Sequence, residues 1–104
     1  MTYFVGVMSG TSLDGIDVAL VEFNDDDSSN LIASHTYDFE PTLKRGLKTL
    51  IEKQQCDFKT FGEIDVALGK AIADSVTELV ETTDIDIGEI TAIGSHGQTI
   101  FHHP

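Results

Sequence analysis

A chain of 104 residues is one domain or part of one, and 40% hydrophobic with 23% charged residues is an ordinary globular mixture. Six Lys and Arg against eighteen Asp and Glu leave a formal charge of -12, which repels phosphate backbones and anionic lipid and argues against nucleic-acid binding driven by counterion release. The lone Cys56 excludes an internal disulfide, and no apolar run approaches the ~20 residues that a membrane span requires. The first ten residues, MTYFVGVMSG, carry no basic segment and do not read as a signal peptide. Composition thus predicts a soluble, cytoplasmic protein with neither a nucleic-acid nor a membrane partner.

In chain order, residues 3–8 (YFVGVM) form a short β-prone run that ends at SGTSLDG, a segment dense in turn formers. From Ile16 the pattern resumes as IDVALVEF, and the two runs read as an antiparallel hairpin. Apolar residues occupy both faces of the second run near its middle, which predicts cover on both sides. Residues 24–30 (NDDDSSN) read as a solvated loop, since a calcium loop needs a Gly turn and this segment has none. A third strand follows from Leu31 to Phe39, completing a three-stranded meander.

Pro41 suits the first position of a helix, and Leu43, Leu47, Leu50 and Ile51 recur at helical spacing. Lys44, Arg45, Lys48 and Lys53 are four of the six cations in the chain, and they decorate the rest of this helix. A solvated face is the favoured reading of them, with an anion-docking face as the alternative. Asp57 is placed to cap a second helix whose apolar stripe is Phe61, Ile64, Leu68, Ala71, Ile72, Ser75 and Leu79, running to about Glu81. Gly69 within it suggests close packing on a strand. Ile90–Gly94 is a brief strand leading into SHGQT, and Ile100–His102 is a further candidate strand. The order of elements predicts an α/β domain whose sheet mixes antiparallel and parallel pairing.

Three constellations could carry chemistry. In Ser9–Gly15, glycines permit close backbone approach, successive N–H groups form an anion-binding concavity, and three hydroxyls add donors for phosphate oxygens. Asp14 there suits Mg²⁺ or its water shell, since that ion usually takes one or two carboxylates. A tight hairpin turn uses the same residues and remains open, and the loop is no Walker A motif because no GK[ST] and no helix follow. In Gly94–Thr99, Gln98 and Thr99 offer neutral groups that read sugar hydroxyls or amides, His96 is able to move a proton, and a structural turn is an equal alternative. His96, His102 and His103 lack a fourth ligand for zinc. His35 reads as packing or surface, and Cys56 as a partly buried small residue rather than a nucleophile.

The run Gly6-Val7-Met8-Ser9-Gly10-Thr11-Ser12-Leu13-Asp14-Gly15-Ile16-Asp17 resembles the N-terminal signature of the anhydro-N-acetylmuramic acid kinases. Ile93 to Thr99, with His102 and Pro104, resembles their second signature. The resemblance implies a ribonuclease-H-like mixed sheet with helices, the N-terminal part of an actin, sugar-kinase and heat-shock-ATPase type fold. Residues 1–104 would be part of the first kinase domain, with a second domain outside this chain, and a chain stopping just after a site motif looks truncated. It further implies a bacterial kinase of peptidoglycan recycling that uses ATP and Mg²⁺. Water opens 1,6-anhydro-N-acetylmuramic acid while the freed O6 takes the γ-phosphoryl, giving N-acetylmuramic acid 6-phosphate. By resemblance Gly10, Thr11, Ser12, Leu13, Asp14, Gly15, Ile16 and Asp17 bind ATP, and His96, Gln98 and Thr99 lie on the sugar side. The general-base Asp and the adenine pocket are expected beyond Pro104, so no catalytic residue is assigned within the chain and the chain alone is expected to be inactive. Many sugar kinases place an Asp before the Gly-Thr pair; Val7-Met8-Ser9 has no acid, which leaves the metal ligand unassigned. A homodimer of the full enzyme, a non-catalytic acidic binding module and a related kinase with another substrate stay open as alternatives.

Overall fold

A computed structural model describes residues 2–9 and 13–98, with the side chains of 96–98 excepted. Strands β1 (Thr2–Ser9), β2 (Ile16–Phe23) and β3 (Ser29–Tyr37) precede helices α1 (Pro41–Lys53) and α2 (Phe58–Glu81). A short 3-10 turn (Ile87–Glu89) then leads into β4 (Ile90–Gln98). The sheet order is β3-β2-β1-β4. β1, β2 and β3 pair antiparallel as the expected meander, and β4 lies parallel to β1. This is the mixed pairing that the order of elements predicted. β3 lies about two residues earlier than expected, because Phe39 leaves the strand and is buried at the start of the link to α1.

Local chemistry explains where the helices start and stop. Both carboxylate oxygens of Glu40 accept from the N–H groups of Thr42 and Leu43, at 3.0 and 3.1 Å, while Pro41 needs no partner. Gln54 ends α1 in the left-handed conformation, at φ 56°. Asp57 caps α2 as predicted, accepting from the Thr60 N–H at 2.7 Å. At the other end the Thr82 and Thr83 hydroxyls donate back to the carbonyls of Leu79 and Val80. The acidic run forms the β2–β3 turn: the Asn24 N–H donates to the Ser28 carbonyl and the Asp26 carboxylate accepts from Ser28. That is the solvated loop the sequence implied.

The core lies between one sheet face and the two helices. Val5, Val7, Ile16, Val18 and Leu20 meet Leu43 and Leu47 of α1 and Leu68, Val76, Leu79 and Val80 of α2. The expectation that β2 is covered on both sides fails among the described residues. Val18 and Leu20 are buried, whereas Ala19 and Val21 are half-buried and Phe23 is exposed, because both helices pack on the same face. The opposite face presents Phe4, Met8, Ala19, Val21 and Phe23 to the outside, with a row of small residues, Ser34, Ala19, Gly6 and Gly94, crossing all four strands.

The apolar stripe of α2 is buried only from Leu68 onward, with Ala71 and Ile72 half-buried within it. Phe61 is 48% exposed, and Phe58 at 98% stands clear of the core, because α2 outruns the sheet beneath it. Gly69 does not pack on a strand: it is exposed, with no atom within 4 Å of the position a Cβ would take. Cys56 is exposed, not partly buried, and His35 is an exposed residue of β3 whose ring lies 4.5 Å from that of Tyr37. The described residues contain no helix long and apolar enough to cross a membrane.

Candidate functional site

The two motifs singled out by sequence converge because β1 and β4 run parallel. Val5 pairs with Ile93, Gly6 with Gly94 and Val7 with Ser95, so both strands deliver their carboxyl ends to the same edge of the sheet. In open α/β sheets that edge is where ligands bind. Ser9, at the mouth of the first loop, has Gln98 as its strand partner. From Val7 to Ser9 the ladder advances two steps on β1 but three on β4, so β4 carries an extra residue there. The bulge falls on the backbone of the SHGQ segment. The sequence places the end of the strand at Gly94 and leaves the segment from Ser95 open between a turn and a site; the backbone stays in the sheet to Gln98.

The loop leaving β1 is anchored at both described ends. Ser9 is buried, and Leu13 is 4% exposed, packed into the main core although its φ is +56°. A non-glycine residue holds that conformation only when its surroundings over-determine it, and burial of the Leu13 side chain does so here. Gly15 follows with φ +151°, and a Cβ on it would lie 2.7 Å from Thr36 Cγ2 and 2.8 Å from the Tyr37 carbonyl oxygen. Glycine is therefore required by close approach of β3. Ile16 is buried, and Asp17 sits on the open face, where its carboxylate accepts from the Thr36 hydroxyl.

Of the expected site residues, Leu13, Asp14, Gly15, Ile16 and Asp17 are thus placed at the carboxyl edge. Gly10, Thr11, Ser12 and Thr99 lie outside the described residues, as do His102, His103 and the candidate strand from Ile100. His96 and Gln98 are placed by backbone alone, on β4. Among the described residues no group of three or more His, Cys, Asp and Glu side chains could hold a metal ion. One or two carboxylates suffice for Mg²⁺, which keeps most of its water, and Asp14 and Asp17 are the carboxylates the loop supplies.

The fold brings a further set of residues to this edge. β3 runs antiparallel to β2, so its end at Tyr37 returns beside Ile16, and α1 starts there. A depression of about 590 Å³ is lined by Leu13 and Asp14 from the loop, Asp38 and Phe39 from the link, and Lys44, Arg45 and Lys48 from α1, with Pro41. The spacing of these three cations on one helix face was legible in the sequence; their arrival beside Asp14 was not.

A parallel strand pair joined to an antiparallel meander, with the ends of both motif-bearing strands at one carboxyl edge, is a mixed α/β arrangement of the sugar-kinase-like class. The match to the family described as anhydro-N-acetylmuramic acid kinase runs over residues 2–104, and the chain belongs to that family. It is 45% identical over 104 residues to an anhydro-N-acetylmuramic acid kinase of Aliivibrio fischeri, covering 100% of this chain and 28% of that protein. A protein of the same name from Vibrio vulnificus is 45% identical over 101 residues, with 97% of this chain and 27% of the relative covered. One from Sulfurimonas denitrificans is 44% identical over 102 residues, with 98% and 27% covered. The chain therefore spans little more than a quarter of the length of these curated relatives.

Proposed function

We propose that this chain forms the N-terminal part of the first domain of an ATP- and Mg²⁺-dependent kinase acting on 1,6-anhydro-N-acetylmuramic acid in peptidoglycan recycling. In this reading water opens the anhydro bridge at the anomeric carbon, and the freed O6 accepts the γ-phosphoryl of ATP. The observation that supports it is the β1–β4 register, which sets Ser9 beside Gln98 and so brings together the ends of the two segments that this reading assigns to phosphate and to sugar. Phosphoryl transfer depends chiefly on positioning and charge stabilisation, and this edge is built for positioning.

In this proposal Gly10–Asp17 receives the phosphates. Burial of Leu13 and the tight seat of Gly15 hold the loop's exit rigid, which supports a preorganised set of backbone donors. Asp14 or Asp17 would hold the water shell of Mg²⁺, which would supply charge neutralisation at the transferred group. Thr99, with Gln98 and His96, hydrogen-bonds the sugar. The general base that activates water, and the adenine pocket, come from the remainder of a full-length kinase, so this chain alone is expected to be inactive.

The test uses the complete gene product with ATP, Mg²⁺ and anhydro-N-acetylmuramic acid, following ADP and sugar 6-phosphate. Thr11→Ala and Thr99→Ala should each lose product. Retained product in either variant demotes that residue to structure. Absence of product from the wild-type enzyme while ATP still binds overturns the substrate, and turnover by the 104-residue chain overturns its inactivity.

A further inference from the structure

The N-terminal part of α2 carries an apolar face that the core does not use. Phe58, Gly62, Val66, Gly69 and Ala73 follow one another at steps of four, four, three and four residues. At about 3.6 residues per turn they form one stripe along the helix. All five are exposed, and Phe58 at 98% and Val66 at 73% are the most exposed large apolar side chains among the described residues. Farther along, the same side of the helix is buried, at Val76 and Val80. Beside the stripe runs a row of exposed charges in the order Lys59, Glu63, Lys70, Asp74.

We propose that this face of α2 docks on the same face of a second copy of the chain, the two helices antiparallel about a two-fold axis near Val66. Both rows are close to palindromic about that point. An antiparallel pair sets Phe58 against the partner's Ala73, Gly62 against the partner's Gly69, and Val66 against the partner's Val66. The two-fold also brings the charged flank of one helix against the same flank of the other. Lys59 then faces the partner's Asp74 and Glu63 faces the partner's Lys70, and each pair occurs twice. A parallel pair would put the two charged rows on opposite sides, out of reach of each other, so the charge order selects the antiparallel one. A palindrome is what self-recognition demands of a single sequence, and a foreign partner would not need it. At Gly62 and Gly69 no atom lies within 4 Å of the position a Cβ would take, so nothing holds the two backbones apart. The other flank bears one acid, Asp65, which meets the partner's Asp65 and opposes the contact. One helix pair falls short of the about 800 Å² per partner of a standard interface, so the contact is weak and dilute chain stays monomeric.

Lys59 with Glu63, and Lys70 with Asp74, also stand one turn apart and are able to pair within the helix. The test keeps those pairs while changing the contact between copies. In the complete gene product, sedimentation over a concentration series measures association. Lys59→Glu with Glu63→Lys preserves net charge and pairing within the helix, yet opposes like charges at all four facing positions. It should weaken association about tenfold. Adding Lys70→Glu and Asp74→Lys makes the facing positions complementary again and should restore it to within about twofold, while Asp65→Asn should tighten it. In a Cys56→Ser background, which removes the exposed native thiol, Val66→Cys should cross-link to its own copy on oxidation and Glu78→Cys, on another side of α2, should not. Association unaffected by the first swap, or not restored by the second, overturns the proposal, as does equal cross-linking at both cysteine positions. A Val66→Cys thiol that neither cross-links nor reacts with maleimide means that another part of the complete chain covers this face, and also overturns it.

Discussion

Replacing Gly15 and Gly69 by alanine should move stability in opposite directions. At Gly15 an added Cβ would meet Thr36 Cγ2 at 2.7 Å and the Tyr37 carbonyl oxygen at 2.8 Å. Neither neighbour gives way easily. Tyr37 is the ladder partner of Ile16, and rotating Thr36 breaks the hydrogen bond its hydroxyl donates to Asp17. A φ of +151° adds a backbone penalty for any L side chain. Conformational strain of about 1–3 kcal/mol and overpacking of similar size put the cost of Gly15→Ala at about 2–6 kcal/mol. At Gly69, mid-helix and exposed with open space around the Cβ position, alanine instead reduces the entropy lost on folding and should stabilise by about 0.5–1 kcal/mol. For a chain of this size 1 kcal/mol moves the melting temperature by roughly 4–8 °C. The melting temperatures of the two variants should therefore differ by about 10 °C or more, with urea midpoints shifted in the same opposite directions. A Gly15→Ala protein as stable as wild type would refute the close approach of β3 to the loop's exit. A destabilised Gly69→Ala would refute the open face of α2 and place a packed neighbour there.

Two further outcomes follow from the core and the caps. Leu20→Ala, at a side chain that is 0% exposed and in the main core, should cost about 2–5 kcal/mol by urea unfolding, whereas Leu31→Ala, 63% exposed, should cost under about 1 kcal/mol. Acid stability should depend on Glu40 and Asp57. The backbone N–H of Thr42, then that of Leu43, holds the Glu40 carboxyl below its usual 4.5. Hydrogen bonding from Thr60, side chain first and backbone second, holds Asp57 below its usual 3.8. Because the folded values are depressed, their stabilisation is present above the unfolded values and disappears as pH falls through the folded ones. Glu40→Gln with Asp57→Asn should thus flatten the loss of stability below about pH 4.5, measured as unfolding midpoint against pH. An unchanged acid slope would show that the caps do not titrate as their hydrogen bonds require.

Much of this fold is written in local signals. Turn residues between alternating apolar runs announced the meander, Pro41 and Asp57 announced the helix starts, and Leu43, Leu47 and Leu50 announced the buried face of α1. These follow from short-range chemistry, namely capping, backbone freedom and side-chain period, which neighbouring residues decide among themselves. The two motifs were legible for the same reason, as dense clusters of Gly, Ser, Thr and His.

What stayed hidden depends on partners far apart in the chain. Nothing local to Ile90–Gln98 says that it pairs with β1 rather than β3; that choice follows from the α1–α2 crossover returning the chain to the other edge of the meander. Nor does the apolar middle of β2 reveal which of its faces the helices cover, since Ala19 and Val21 are as hydrophobic in sequence as they are uncovered in space. The meeting of Lys44, Arg45 and Lys48 with Asp14 has the same origin. The residues and their spacing belong to the sequence, but the hollow exists only because β3 runs back to the loop's exit and starts α1 there. Residue chemistry was local and readable, whereas adjacency was set by how the chain buries one shared core, and only the tertiary structure decides that.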